Sequence, residues 1–258
     1  MDGESTRERY LSVCRRIEDA KAKAGREHAT VHLVAVTKYA AMEQVRELID
    51  MGHVDFGEGR SQHFLKMAPQ VQEYLDRRRT LGESDVPDHV RWHFIGHLQR
   101  NKAKKILPLV RMIHSVDSLR LAEEIQSCSN NADSPVEVLV QINPTDERQR
   151  YGIAPAAVRH LIEQIETMVT IRVRGIMTMA PKVEDPEETR PVFTRVSELF
   201  DEIKRSGVGG EHFDILSMGM SNDFEVAIEC GANIVRVGSA IFGEKEITES
   251  VSTEQAEA

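Results

Sequence analysis

The sequence predicts a single (β/α)8 barrel, in which eight parallel strands alternate with helices, with one extra helix at the N-terminus. Three observations support this fold class. Eight short apolar runs rich in β-branched residues alternate with helical patterns along the chain. These runs are mostly continuous in apolar character, as in parallel strands that are buried on both faces. The length of 258 residues also fits a barrel that forms as one domain.

The elements follow a regular order. The first helix is predicted over residues 5–25, because apolar residues recur there at three- and four-residue steps and Gly25 follows as a stop signal. A helical run separates each predicted strand from the next. The strands are, in order, VHLVAVTKY (31–39), VDFGEG (54–59), RWHFIG (91–96), MIHSV (112–116), VEVLVQIN (136–143), IRVRGIMTM (171–179), FDILSMG (213–219) and NIVRVGSAIFG (233–243).

An open doubly wound sheet is the main rival to the barrel. Such a sheet normally carries a G-x-G-x-x-G turn after its first strand, whereas this sequence has TKYAAM at residues 37–42. We therefore expect one barrel domain over residues 1–243. The acidic segment 244–258 lacks apolar spacing, and we expect it to be a disordered tail.

Composition narrows the classes of function. Apolar residues make up 40% of the chain and charged residues 29%, as in an ordinary globular protein. The net charge of -9 argues against nucleic acid or an anionic membrane as a partner. Neither a secretory signal nor a run long enough to cross a membrane is found, so we expect a cytoplasmic protein. The three cysteines and the His93/His97 pair lack metal-ligand spacing, and we expect no metal.

Candidate functional residues follow from the strand ends, because the C-terminal ends of barrel strands converge on one mouth. Lys38 lies at the end of strand one, where the alternative interpretation is a lysine that extends into solvent. Arg236 lies among valines in strand eight, and a buried arginine needs partners.

Two turns at the same mouth contain hydroxyl groups and glycines. Ser217 and Gly219 end strand seven, and Gly238 and Ser239 end strand eight. Small residues let backbone N–H groups and a helix N-terminus close around an anion, and the loops after strands seven and eight are a recurrent phosphate site of this fold. Each turn alone is equally well explained as an ordinary turn, but the two together favour phosphate.

An amine, an inward arginine and a phosphate site together suit pyridoxal 5'-phosphate. An unprotonated lysine forms a Schiff base with the aldehyde, and burial beside another cation would favour that neutral amine. Arg236 facing the pyridine nitrogen would keep this nitrogen unprotonated, because arginine is a donor that does not lose its proton. Such a site holds the cofactor better than it stabilises carbanions.

Six motifs spread over nearly the whole chain resemble those of the pyridoxal phosphate homeostasis protein family: VAVTKY, FGEGRSQ, WHFIGHLQRNK, RGIMTMAP, LSMGMSNDFEVAIECG and VRVGSAIFG. The resemblance implies a barrel of pyridoxal phosphate fold type III, similar to the N-terminal domain of alanine racemase. It implies a Schiff base at Lys38, Arg236 near the pyridine nitrogen, and phosphate at Ser217, Gly219, Gly238 and Ser239. It also implies vitamin B6 homeostasis inside the cell without established catalysis.

The second motif departs from the family pattern. Gly59 and Arg60 stand where the family usually has Asn and Tyr, so a side-chain contact to the cofactor is absent and a cation is added near the mouth.

Other functions remain open from the residues alone. A racemase would use the same lysine with Tyr39 or Tyr151 as a local base, and exchange of the alanine α-proton in deuterated water would identify it. We expect no second β-rich domain, because only residues 244–258 follow strand eight. The basic residues Arg100, Lys102, Lys104 and Lys105 are explained by a solvated helix face or by a partner surface. We expect a monomer that binds pyridoxal 5'-phosphate and passes it to apo-enzymes that depend on it.

Overall fold

The computed structural model describes residues 4–83, 87–129, 134–145 and 150–243, and the segment 244–258 predicted as a tail lies outside them. Eight parallel strands pair in sequence order, and the last pairs with the first to close a barrel. The predicted fold class is therefore confirmed. The strands are β1 (His32–Val36), β2 (Asp55–Glu58), β3 (Arg91–Phe94), β4 (Met112–Val116), β5 (Val136–Ile142), β6 (Ile171–Thr178), β7 (Ile215–Ser217) and β8 (Ile234–Val237).

Helices alternate with these strands around the barrel. They are α1 (Thr6–Lys23), α2 (Met42–Asp50), α3 (Ser61–Thr80), α4 (Arg100–Ile106), α5 (Leu119–Cys128), α6 (Pro155–Ile165), α7 (Arg190–Ser206), α8 (Phe224–Glu229) and α9 (Ser239–Phe242). None of the helices within the described ranges is both long enough and apolar enough to cross a lipid bilayer.

The extra N-terminal helix α1 begins with a reciprocal cap. The Ser5 hydroxyl accepts from the N–H of Glu8, and the Glu8 carboxylate accepts from the N–H of Ser5, so two otherwise unpaired donors are satisfied. The apolar stripe that includes Val13 and Ile17 is buried against α8 and α9. The helix therefore supports the last βα unit, where two of the predicted site turns lie.

The prediction of a strand over residues 233–243 is wrong in its second half. Strand β8 ends at Val237, and Ser239–Phe242 form the short helix α9. The N–H of Phe242 donates to the carbonyl of Gly238 (2.9 Å), so the chain turns helical as soon as pairing with β1 ends. A short buried apolar run does not by itself distinguish a strand from a helical turn.

The barrel encloses a second, smaller apolar cluster. Met112, Leu139 and Met177 pack together apart from the main core, while neighbours such as Ile113 and Ile176 face the helices. Because successive side chains of a strand point to opposite faces, this cluster lies inside the barrel. Met177 of β6 therefore fills part of the barrel interior.

Gly175 is required by a close approach of two strands. Its φ is +152°, and a Cβ built there would lie 1.8 Å from the carbonyl oxygen of Ile215 on β7. The register between β5 and β6 shifts at this point, which is typical of a bulge. Any side chain here would push β6 and β7 apart.

Replacement of Gly175 by alanine should lower the free energy of unfolding by more than about 2 kcal/mol, because it adds a backbone clash to the strain of a positive φ. Gly25→Ala is the matched control, since its φ is +64° and no atom lies within 4 Å of the added Cβ. This variant should lose about 1 kcal/mol. Urea unfolding of both variants tests the difference, and equal losses would contradict the role given to the Ile215 carbonyl.

Candidate functional site

A cavity of about 780 Å³ opens at the C-terminal ends of the strands. It lies where the fold places its ligand sites, and its volume is in the range of small-molecule sites. Four of the six predicted site residues line it: Lys38, Arg236, Gly238 and Ser239. The other two, Ser217 and Gly219, do not belong to its lining. Tyr39 and Tyr151, the candidate bases of the racemase alternative, also line the cavity.

Lys38 lies at the rim of this cavity, two residues after β1 ends. The preceding residue, Thr37, is buried, and its hydroxyl lies 3.2 Å from the carbonyl oxygen of Gly57 and from the carboxylate of Glu58. This anchoring fixes the backbone from which Lys38 projects. The expected burial of Lys38 is wrong, since the side chain is exposed and its Nζ lies 5.0 Å from the centre of the Tyr39 ring.

Arg60 supports the same loop from the neighbouring unit. Its guanidinium donates to the carbonyl oxygen of Lys38 and lies 5.2 Å from the centre of the Tyr39 ring. Gly59, beside it, has space for a Cβ at 3.4 Å from Gly96. The departure from the family motif thus adds a cationic side chain that holds the backbone of the lysine loop.

The turn after β7 contains a residue that the sequence prediction omitted. Ser221 lines the cavity, and its hydroxyl oxygen accepts from the N–H groups of Gly238 (3.1 Å) and Ala240 (3.3 Å). The two predicted turns are therefore joined through Ser221. The signal was present in the sequence as the second serine of SMGMS, but its choice over Ser217 depends on which of them faces the mouth.

Helix dipoles contribute little to this part of the cavity. Helices α8 and α9 contain only 6 and 4 residues, so little macrodipole accumulates at their N-termini. The donors in this part of the lining are the hydroxyl groups of Ser221 and Ser239, because the N–H groups of Gly238 and Ala240 already donate to the Ser221 oxygen. The predicted helix N-terminus is present only as the start of the 4-residue helix α9.

Gly219 has a packing role. Its φ is +95°, and an added Cβ would lie 2.6 Å from the Cβ of Ala227 and 2.8 Å from the Cα of Phe224. Its carbonyl oxygen accepts from the N–H of Arg236 (3.0 Å). Only glycine fits here, because the chain must pass close to α8 in a left-handed conformation.

Arg236 combines burial with fixed hydrogen bonds. Only 3% of the residue is exposed, yet it reaches the cavity lining. Its Nη1 donates to the hydroxyl oxygen of Ser217 (2.6 Å), and its Nη2 donates to the carbonyl oxygen of Thr178 (2.8 Å). Burial lowers the pKa of Arg236 to about 10, so the side chain is still a cation at neutral pH.

Ser217 connects Arg236 to a buried polar chain through the barrel. Its hydroxyl lies 3.1 Å from Nδ1 of His114, whose Nε2 lies 2.9 Å from Nδ1 of His93. Nε2 of His93 lies 3.2 Å from the carboxylate of Asp55, which also accepts two hydrogen bonds from Arg91. Ser217 therefore lies in the barrel wall between His114 and Arg236, and its predicted contact with phosphate stays a prediction.

One of the basic residues at the start of α4, Lys102, borders a second cavity of about 510 Å³. Lys102 lines it together with His97, Lys66, His63 and Arg60. The described residues contain no group of three or more His, Cys, Asp or Glu that could hold a metal ion. His93 lies on β3, whereas His97 lies in the loop beyond Gly96.

The fold and its mouth define a (β/α)8-barrel protein of the alanine racemase type, and the family model described as alanine racemase, N-terminal domain, matches residues 15–246. Among curated proteins, the chain is 38% identical over 240 residues to the pyridoxal phosphate homeostasis protein of Aquifex aeolicus, covering 93% of this chain and 98% of that protein. The chain therefore belongs to the pyridoxal phosphate homeostasis protein family, as the sequence motifs predicted.

Solved structures agree with this assignment. PipY of Synechococcus elongatus, solved with pyridoxal phosphate bound, is 30% identical, with a TM-score of 0.70 over 88% of this chain and 100% of PipY. A protein of unknown function from Bifidobacterium adolescentis is 36% identical, with a TM-score of 0.81 over 90% of this chain and 92% of that protein. Alanine racemase of Clostridium difficile, at 15% identity and a TM-score of 0.64 over 90% of this chain and 56% of the racemase, shares the fold.

The charge of Asp55 makes stability depend on pH. Burial opposes its ionisation, but hydrogen bonds from His93 and Arg91 outweigh this effect and hold the pKa of Asp55 well below its ordinary value. The ionised group therefore stabilises the fold fully above the unfolded-state pKa of about 4, and this contribution is lost as the pH falls towards the folded-state value.

Asp55→Asn should accordingly lower the free energy of unfolding by about 2 kcal/mol at pH 7, and the difference from wild type should shrink as the pH falls below about 4. Denaturant unfolding between pH 7 and pH 3 measures it. Asp76→Asn, which changes an exposed carboxylate on α3, is the control and should stay within about 0.5 kcal/mol. A difference that is constant over this pH range would contradict the assignment.

Proposed function

We propose that this chain binds pyridoxal 5'-phosphate in the cavity at the mouth of the barrel, holds it as a Schiff base on Lys38, and acts in intracellular vitamin B6 homeostasis without catalysing a reaction. One observation carries the proposal. A primary amine, a buried guanidinium and the joined turns of β7 and β8 all face the same cavity of about 780 Å³. The names of its relatives and the bound PipY structure support the same ligand.

The donor set fits the chemistry of this cofactor. The cofactor supplies an aldehyde carbon that an unprotonated amine can attack, and Lys38 is placed at the open rim where an incoming ligand meets it first. The phosphate end needs donors around one anion. The Ser221 oxygen accepts from the N–H groups of Gly238 and Ala240, which leaves its hydroxyl hydrogen for the ligand, and Ser239 adds a second hydroxyl in the cavity lining.

Arg236 would serve the ring end of the cofactor. Because Ser217 and Thr178 already hold its guanidinium, the side chain meets the ligand without first having to be ordered. A guanidinium donates hydrogen bonds but does not give up its proton near neutral pH, so it would leave the pyridine nitrogen as an acceptor. This arrangement supports holding the cofactor over using it as a carbanion sink.

The remaining parts of the proposal concern partners and location. We place the protein in the cytoplasm as a monomer of one barrel domain, residues 1–243, that passes the cofactor to apo-enzymes and binds no nucleic acid. The exposed position of Lys38 supports exchange, since a lysine at the rim can release its ligand without opening the barrel. The net charge of -9 supports the exclusion of nucleic acid.

Lys38→Ala should abolish the adduct that borohydride fixes to the protein and the visible absorbance of the loaded protein, while the fold is retained. Lys182→Ala is the matched control, because Lys182 is an exposed lysine in the lining of the same cavity. This control should keep the full adduct. Mass spectrometry after borohydride treatment decides the matter, and an undiminished adduct in Lys38→Ala would assign the aldehyde to another lysine.

Ser221→Ala should weaken binding of pyridoxal 5'-phosphate about tenfold and leave binding of unphosphorylated pyridoxal unchanged, because it removes a donor from the phosphate end alone. Ser217→Ala should instead weaken both ligands alike, since Ser217 acts through Arg236. Absorbance titrations of each of the two variants with each of the two ligands measure the four dissociation constants. Selective loss of the phosphorylated ligand in Ser217→Ala would return the phosphate role to Ser217.

A further inference from the structure

A continuous chain of hydrogen bonds crosses the barrel interior from Asp55 to Arg236. The four links measure 3.2 Å from Asp55 to His93, 2.9 Å from His93 to His114, 3.1 Å from His114 to Ser217 and 2.6 Å from Ser217 to Arg236. All five residues are buried. Asp55 and His93 lie on the adjacent strands β2 and β3, whereas Ser217 and Arg236 lie on β7 and β8, so the chain spans the interior from one side to the other.

The two ends of this chain have fixed hydrogen-bonding roles. Arg236 can only donate, and an ionised Asp55 can only accept. Asp55 remains ionised at neutral pH because His93 and Arg91 donate to it. Each of the three groups between the ends must therefore accept a hydrogen bond on the Arg236 side and donate one on the Asp55 side.

Only one arrangement of hydrogens satisfies all four links when both histidines are neutral. Nη1 of Arg236 donates to Ser217, whose hydroxyl then donates to Nδ1 of His114. Nε2–H of His114 donates to Nδ1 of His93, and Nε2–H of His93 donates to Asp55. Both histidines must then be the Nε2–H tautomer.

A cationic His93 would reverse the middle of the chain. It would donate through Nδ1 to His114, which would in turn donate through Nδ1 to Ser217. The hydroxyl hydrogen of Ser217, which is fully buried, would then have no acceptor within the chain. The reversed arrangement would also place a second cation in the interior near Arg236, where desolvation already opposes charge.

We infer that Asp55, His93, His114 and Ser217 are positioning residues for Arg236: the anion at one end fixes both histidine tautomers, and these fix the Ser217 hydroxyl so that it presents a lone pair to the guanidinium. The assignment of the histidine tautomers depends only on the four hydrogen bonds between Asp55 and Arg236. The consequence for a ligand rests on the proposed function, because it requires Arg236 to meet the cofactor ring.

The Thr178 carbonyl completes the restraint. It accepts from Nη2 of Arg236 (2.8 Å), so each terminal nitrogen of the guanidinium has a fixed partner in the barrel wall. A planar group that is held at two points has a defined orientation. The direction in which Arg236 presents its remaining donors to the cavity is thus set by Ser217 and Thr178, and through Ser217 by the hydrogen bonds that end at Asp55.

Nitrogen-15 NMR of the ligand-free protein tests the tautomers directly. In wild type, both His93 and His114 should show a protonated Nε2 and a bare Nδ1. In Asp55→Asn, the amide can donate as well as accept, so both histidines should also populate the Nδ1–H tautomer. In the control Arg91→Gln, which keeps the carboxylate, the wild-type tautomers should persist.

Two results would overturn the inference at this stage. One is a His93 or His114 in wild type that is either cationic or mainly in the Nδ1–H tautomer. The other is an unchanged tautomer pattern in Asp55→Asn. If Asp55→Asn does not fold, the wild-type spectrum by itself decides which tautomers are present. Comparison with the spectra of His93→Gln and His114→Gln assigns the signals to the two rings.

Ligand titration then tests the consequence for Arg236. Asp55→Asn should raise the dissociation constants of pyridoxal 5'-phosphate and pyridoxal alike by about tenfold, whereas Arg91→Gln should leave both close to wild type. Unchanged affinities in Asp55→Asn would contradict the positioning role. A wild-type protein that takes up no pyridoxal 5'-phosphate would contradict the proposed function instead, while the histidine tautomers would still decide the inference.

Discussion

A buried guanidinium is the constraint on which the rest of this site depends. Moving an arginine from water into a protein interior costs several kcal/mol unless its donors are paired. Here Ser217 and the Thr178 carbonyl pair them, and a line of polar groups behind Ser217 extends to the anion Asp55. The interior of this barrel is therefore divided into a polar line and a small apolar cluster around Met177. These polar groups fix the Arg236 cation at the mouth of the barrel.

The cavity is lined by side chains that are held to different degrees. Arg236 and the β7 and β8 turns are held by the barrel wall and by the hydrogen bonds around Ser221. Lys38, in contrast, projects from a loop beyond β1, where Thr37 and Arg60 restrain the backbone but the side chain stays exposed. Under the proposed function, a ligand held at its phosphate and ring ends and bonded at an accessible rim would be retained and could still be exchanged.

The neighbouring alanine racemase fold uses the same barrel in a longer chain, of which this protein covers 56%. Likeness at 15% identity establishes the barrel alone. The function of this protein must therefore be argued from the residues at the mouth of its own barrel. Tyr39 and Tyr151 at this mouth are more than half exposed. Tyr151 stacks on His97, with ring centres 4.0 Å apart, and this contact orders the aromatic side of the entrance.

The sequence by itself determined the barrel, because periodicity and composition are local properties that repeat eight times along the chain. It also predicted that Lys38 and Arg236 lie at the mouth, where both line the cavity, since a charge next to a continuous apolar strand is visible without coordinates. Only the tertiary structure shows that Ser221 lines the cavity and Ser217 does not, because the two serines are four residues apart and the direction of each hydroxyl depends on where the strand ends. The Asp55–His93–His114 line was equally hidden, because its members come from separate strands and meet only when the barrel closes.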